Sequence, residues 1–218
     1  MGNVGLLFVG AVLFMNGLLL LEKVEARSGA VFNLFVGVLQ TVTPTYLIFT
    51  AGGDQDKILA ASGIYLFAFT YLYVGIGLLA GLDTSGVGYY SLFVAIAALG
   101  YSFVNFHRFK DYPFGVIWLY WAFLWFLFFL LLGLKMAKLT VYVGWVTAIE
   151  GWITGVIPAA LLLSGYWKHT TEIAIAQGAF ALLVFGALWP LTRKSRQPTG
   201  TTPSAAPPGS AGNTGTPT

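Results

Sequence analysis

The stretch that decides the fold reads Val146-Thr-Ala-Ile-Glu-Gly-Trp-Ile-Thr-Gly-Val-Ile-Pro158, and its one acid is Glu150. It belongs to an apolar segment over residues 140–167, which is long enough for a helix to cross a lipid bilayer. Glu150 would lie near the middle of that helix. A carboxyl group there costs roughly 2.5–3.5 kcal/mol on insertion scales unless it faces other helices or water. The stretch therefore predicts a membrane-spanning helix with a candidate functional residue at mid-depth.

Apolar segments of similar length recur along the whole chain. The chain is 57% hydrophobic and only 9% charged, whereas soluble domains carry roughly 25% charged residues. The sequence therefore predicts an all-α polytopic membrane protein with seven spans. We place the spans at 4–21, 29–51, 58–80, 88–106, 114–134, 140–167 and 172–192.

The connections between these segments are short, so consecutive helices should be antiparallel neighbours. The distribution of Lys and Arg favours an N-terminus outside and a C-terminus inside, because basic loops stay in the cytoplasm. In that orientation the inner side receives Lys23, Arg27, Lys135, Lys138, Arg193, Lys194 and Arg196, and the outer side receives Lys57, Arg108, Lys110 and Lys168. Residues 193–218 are rich in Pro, Gly, Thr and Ser, which predicts a disordered cytoplasmic tail.

The sequence offers little for catalysis or metal binding. The chain has no cysteine and only two histidines, and it lacks the HExxH and GxSxG motifs. We therefore expect no enzyme activity, no metal site and no cofactor. The net charge of +3 is spread over the loops, so we expect no nucleic-acid partner.

Three stripes of large side chains follow helical spacing. Trp118, Trp121 and Trp125 are spaced i, i+3, i+7 and therefore share one helical face, and Phe69 and Tyr73 are spaced i, i+4. An aliphatic stripe consists of Leu6, Val9 and Leu13. Each stripe could pack against neighbouring helices or lipid, or could line a pore. Spacing alone favours packing.

Six blocks of the sequence, in order, resemble the helices of the AmiS/UreI family of urea and amide channels. The fifth reads Ile117-Trp-Leu-Tyr-Trp-Ala-Phe-Leu-Trp125, and the sixth is the Glu150 stretch. The six blocks are Leu6–Gly17, Phe32–Gly37, Phe69–Tyr73, Tyr90–Ile96, Ile117–Trp125 and Ile149–Ala159.

The resemblance implies a six-helix channel core over residues 1–167, with an additional seventh helix over 168–192. It also implies a homohexamer in the cell membrane whose protomers each contain a pore for urea or short-chain amides. The function expected is passive permeation that supplies a cytoplasmic amidase or urease. Carried over by position, the pore lining is Leu6, Val9, Leu13, Phe69, Tyr73, Trp118, Trp121, Leu124, Trp125 and Glu150.

Two departures from the family and two other functions bear on this expectation. The outer loops are short, with His107 the one histidine between the fourth and fifth spans, so acid gating is not expected. Phe114 stands where the family pattern has Trp. The alternative functions are a proton-coupled carrier of small amides that uses Glu150, and a membrane protein whose aromatic stripes face lipid or a partner.

Overall fold

Seven long apolar helices run through residues 2–193, the part of the chain that the computed structural model describes. They are α1 (Gly2–Leu20), α2 (Ala26–Phe49), α3 (Gln55–Ala80), α4 (Ser85–Phe109), α5 (Tyr112–Gly133), α6 (Ala137–Leu163) and α7 (Thr171–Thr192). The predicted all-α fold with seven spans is therefore confirmed. The predicted tail lies, except for Arg193, outside the described residues.

Several helices begin before their apolar run, because acidic side chains cap their first turns. Glu25 accepts hydrogen bonds from the main-chain N–H groups of Arg27 and Ser28, at 2.9 and 2.8 Å. Asp54 and Asp111 cap α3 and α5 in the same way. Capping satisfies N–H groups that a helix start leaves unpaired. The polar first turns were therefore missed when the spans were read from hydropathy.

The first six helices form a ring in sequence order, which α1 closes by packing against α6. Glycines allow this closure. A Cβ atom on Gly10 would lie 2.5 Å from the main-chain oxygen of Gly151, and one on Gly17 would lie 2.5 Å from the main-chain nitrogen of Ala148. The two main chains can approach this closely only without side chains between them.

Amide side chains join α1 to α2 within the ring. Asn16 and Asn33 exchange hydrogen bonds of 3.0 and 2.7 Å between their side-chain amides. Gln40 donates from Nε2 to the main-chain oxygen of Gly5 at 2.7 Å. Such bonds between membrane helices are worth roughly 0.6 kcal/mol each, so they fix the register of α1 and α2 more than they stabilise the bundle.

The seventh helix lies outside the ring, against α5 and α6, and little of it is buried. Two tyrosine hydroxyls hold it by its main chain. Tyr120 on α5 donates to the main-chain oxygen of Gln177 at 2.6 Å, and Tyr142 on α6 donates to that of Phe185 at 3.3 Å. The helix therefore covers one side of the ring without contributing to the centre.

Candidate functional site

Four aromatic rings meet at the centre of the helix ring. Three of the rings project from α5 and belong to Trp118, Trp121 and Trp125. The fourth ring belongs to Phe67 on α3, which α4 separates from α5 in the order of the helix ring. The centroid of the Phe67 ring lies 5.6, 4.7 and 5.0 Å from those of the three indoles in turn. All four side chains are buried. The tryptophan stripe therefore faces the interior of the bundle.

A wide cavity, here called the N-side vestibule, opens at the end of the bundle that holds the N-terminus. It has a volume of about 680 Å³. Its deep part is lined by Leu6, Val9, Phe67, Trp118 and Trp121. Its lining also includes one lysine, one aspartate and one histidine, namely Lys57, Asp111 and His169. Because these three belong to helix ends and loops, the cavity passes from a polar mouth to an aromatic floor.

A smaller cavity, here called the opposite vestibule, reaches Trp125 of this cluster from the other end of the bundle. Its volume is about 120 Å³, and its lining includes Leu13, Thr70, Tyr73 and Trp125. The acid in its lining is Asp83, in the loop between α3 and α4. Most of the remaining lining is aliphatic or aromatic.

The two vestibules are separated by a wall about one helical turn thick. On α1 the lining passes from Val9 on the N side to Leu13 on the opposite side, and on α5 it passes from Trp121 to Trp125. On α3 it passes from Phe67 to Thr70. Steps of three or four residues correspond to about 4.5–6 Å along a helix. Three helices thus place the boundary at the same level.

The indole N–H groups at this wall are already occupied. Trp121 donates from Nε1 to Oγ1 of Thr154 on α6 at 3.0 Å, and Trp125 donates to Oγ1 of Thr70 on α3 at 3.2 Å. An indole has a single N–H donor. These two tryptophans therefore present their ring surfaces, rather than a free donor, to the vestibules.

Glu150 is fully buried, and it belongs to the lining of neither vestibule, whereas the resemblance implied that it lines the pore. Neither carboxylate oxygen has a hydrogen-bond partner among the described residues. The regular part of α6 ends at this residue, and a π-type turn follows over Gly151–Val156. Such turns often accompany functional sites in helices. A buried carboxyl group without a partner is costly, which makes Glu150 a candidate functional residue.

Seven of the ten predicted lining residues line the two vestibules, and three do not. The seven are Leu6, Val9, Leu13, Tyr73, Trp118, Trp121 and Trp125. Leu124 and Glu150 are buried elsewhere in the bundle, and Phe69 is half-exposed and stacks on Tyr65 at 5.8 Å.

Phe67 is the aromatic residue of α3 that reaches the centre, and the sequence-based reasoning missed it. Phe67 and Phe69 differ by two positions, which is about 200° around a helix, so they point in nearly opposite directions. The buried residues of this helix include Phe67, Thr70 and Tyr71, with the i, i+3, i+4 spacing of an inward face. That spacing was the signal available in the sequence.

Asp111 organises the mouth of the N-side vestibule. One carboxylate oxygen caps α5 by accepting from the N–H of Phe114 at 3.1 Å. The other accepts from Nε1 of Trp167 at 3.1 Å and lies 2.9 Å from Nδ1 of His169. The last two residues belong to the loop that leads into α7. This carboxylate therefore ties the seventh helix to the rim of the cavity.

Seven membrane-spanning helices and two vestibules that face each other across a thin aromatic wall define a multi-pass membrane protein of the channel or transporter class. The sequence comparison agrees with this class. Residues 1–166 match the profile of the AmiS/UreI family transporters, and the chain belongs to that family. The seventh helix lies beyond the matched residues.

The relatives carry related names. The chain is 56% identical over 184 residues to a protein named as the transporter AmiS2 in Rhodococcus erythropolis, covering 84% of this chain and 89% of that one. It is 50% identical over 208 residues to a protein named as an amidate substrates transporter in Mycolicibacterium smegmatis, covering 94% and 97%. The crystal structure of the urea channel from Helicobacter pylori superimposes with a TM-score of 0.70 at 34% identity, covering 77% of this chain and all of that one.

Proposed function

We propose that this protein is a passive membrane channel for urea and small uncharged aliphatic amides. The single observation that carries the proposal is the pair of opposed vestibules separated by about one helical turn of aromatic and aliphatic side chains. A channel needs access from both sides to one short selective segment, and this arrangement supplies it. The names of the relatives supply the class of substrate.

The composition of the wall supports an uncharged permeant. Val9, Leu13, Phe67, Trp121 and Trp125 carry no charge, and the two indole N–H groups are bonded to protein. Ring and alkyl surfaces do not repay the dehydration of an ion. A flat, neutral amide loses less on leaving water and can slide between ring faces.

The size of the opposite vestibule also supports a small permeant. Its volume of about 120 Å³ is much smaller than the 680 Å³ of the N-side vestibule, and most of its lining is aliphatic or aromatic. Only weak binding is expected in an aliphatic and aromatic cavity, and weak binding permits rapid exit.

The physiological setting follows from passive permeation. Without an energy source, net flux follows the gradient, and a cytoplasmic amidase or urease would keep that gradient inward. We place the protein in the cell membrane with its N-terminus outside, as a homohexamer with one pore in each protomer. Native mass spectrometry in detergent measures the number of subunits.

The function is tested by reconstituting the protein in liposomes and measuring urea and acetamide flux by stopped-flow light scattering. We expect flux above that of empty liposomes. Trp121→Ala should alter both the rate and the discrimination between the two solutes, because it removes a buried ring at the wall. Trp145→Ala is the matched control, because Trp145 lies on α6 with 45% of its surface exposed. Wild-type flux equal to that of empty liposomes would refute the proposal.

A proton-coupled carrier is the second candidate, and the buried, unpartnered carboxyl group of Glu150 is the observation that favours it. The two candidates differ in their energetics. A carrier would accumulate amide against a gradient in energised vesicles, and a protonophore would abolish that accumulation. A channel would equilibrate the solute at the same rate with or without the protonophore.

A further inference from the structure

Each of the two indoles at the wall is held by a threonine that is itself held by its own helix. Thr154 accepts from Trp121 and donates from Oγ1 to the main-chain oxygen of Glu150 at 2.6 Å. Thr70 accepts from Trp125 and donates to the main-chain oxygen of Leu66 at 2.8 Å. In both pairs the donation runs to the carbonyl four residues earlier. The same arrangement thus occurs twice, on two different helices.

The arrangement fixes which way each threonine hydroxyl points. A hydroxyl has one hydrogen, and here the carbonyl takes it. The oxygen lone pairs are left to face the indole. Each threonine is therefore an oriented acceptor, and the indole N–H that meets it must lie in one direction.

The two bonds connect α5 to different neighbours across the wall. Trp121 is tied to α6 and Trp125 to α3, while Phe67 contacts both indoles nearly edge-on, at interplanar angles of 70° and 68°. A ring held by a hydrogen bond at one edge and by another ring on its surface has little freedom to turn. The space beside each indole ring, through which a solute would pass between the vestibules, then keeps a constant width.

We propose that Thr154 and Thr70 are positioning residues that set the size selectivity of the pore by fixing the planes of Trp121 and Trp125. This rests on the proposed channel function. Without the hydroxyl, the indole N–H is buried and unpaired. The ring then turns to find a partner, and the gap that discriminates among amides widens or becomes blocked.

The test uses isosteric and conservative replacements with a matched control. Thr154→Val and Thr70→Val keep the shape of the side chain and remove the acceptor, whereas Thr154→Ser and Thr70→Ser keep the hydroxyl. Thr147→Val is the control, because Thr147 lies on α6, is fully buried and donates to the oxygen of Val143 at 2.6 Å, with no bond to an indole. Folding is checked for every variant by size-exclusion chromatography.

The first readout is the ratio of propanamide flux to urea flux in proteoliposomes. We expect each valine variant to change this ratio by roughly threefold to tenfold, which corresponds to the loss of one hydrogen bond. The serine variants and Thr147→Val should stay within about twofold of wild type, on the same reasoning. A ratio unchanged in both valine variants would overturn the proposal, as would serine variants that change it as much as valine does.

The second readout follows the indoles directly and does not depend on flux. In protein labelled with 5-fluorotryptophan, the ¹⁹F resonances of Trp121 and Trp125 are assigned by Trp→Phe variants. Thr154→Val should shift and broaden the Trp121 resonance, and Thr70→Val that of Trp125, while Thr147→Val leaves both in place. Unmoved resonances would refute the positioning role even if the protein proves to be a channel. Conversely, moved resonances in a protein without flux would refute the channel and leave the bonds established.

Discussion

Replacing Gly10 by alanine tests whether the closure of the helix ring depends on direct contact between α1 and α6. A Cβ atom at this position would lie 2.5 Å from the main-chain oxygen of Gly151, 2.5 Å from the main-chain nitrogen of Val156 and 2.8 Å from a Val156 methyl group. Two of these three atoms belong to main chain and cannot turn away. The α1 helix must therefore move outward by a large part of an ångström.

The expected cost is that of overpacking a well-packed interior, about 1–3 kcal/mol. This corresponds to a factor of roughly 5 to 150 in the unfolding equilibrium. For a chain of this size it should lower the apparent melting temperature by about 2–12 °C. The movement also displaces Leu6, Val9 and Leu13, which lie on the same helix, so solute flux should change together with stability.

The assay is thermal unfolding in detergent, followed by intrinsic fluorescence, with Gly100→Ala as the control. Gly100 is also in a helix interior, but a Cβ atom there meets nothing within 4 Å. Alanine is the better helix former by roughly 0.8–1 kcal/mol, so the control should keep or slightly raise the melting temperature. Equal melting temperatures for the two variants would show that α1 and α6 are not in the close contact described.

Three further outcomes are expected. Phe67→Ala should lose about 3–5 kcal/mol of stability, as do other truncations of buried rings, and should relax size discrimination in flux assays; Phe69→Ala is its exposed counterpart and should do neither. Glu150→Gln should keep the fold and passive urea flux, and a large loss of flux would give the carboxyl group a direct role in permeation. The ammonium group of Lys135 donates a 2.7 Å hydrogen bond to the carboxylate of Asp83. This bond and further hydrogen bonds from Ser85 hold the pKa of Asp83 well below its usual value. Because a lowered pKa stabilises the fold above the unfolded value of about 3.9, Asp83→Asn should reduce the melting temperature equally at pH 7 and pH 5, and the difference should shrink below about pH 4.

The arrangement of helices was accessible from the sequence because it depends on local composition. Long apolar runs predict spans, and short polar breaks predict antiparallel neighbours. Periodicity also predicts that Trp118, Trp121 and Trp125 share one helical face. It does not predict that this face points inward, because the same stripe also suits a surface that faces lipid. The predicted starts of α2 and α3 were a few residues too late, because Glu25 and Asp54 start these helices by capping them and hydropathy does not register a cap.

Hydropathy alone could not choose between Phe67 and Phe69, because the whole segment is apolar. The helical spacing of Phe67 with Thr70 and Tyr71 was the one signal in the sequence that separates them. The family resemblance implied that Phe69 lines the pore, whereas Phe67 is the ring that contacts the tryptophans in the structure. The bonds between indoles and threonines were also out of reach. They join positions 33 and 55 residues apart in the chain, and only the packing of three helices brings them together.

The way in which α7 is attached has a consequence for how this part of the protein can vary. Tyr120 and Tyr142 donate hydrogen bonds to main-chain carbonyl oxygens of α7. Every amino acid has such an oxygen, so these two bonds do not depend on the side chains of α7. Phe185 is an exception, because its side chain is buried against the rings of Tyr120 and Phe123. Most other positions of α7 are not buried, so the segment should accept many side chains and its sequence should vary more than that of the ring. The same property makes the segment a convenient place for an engineered replacement, such as a helix that bears a fluorescent reporter or an affinity handle.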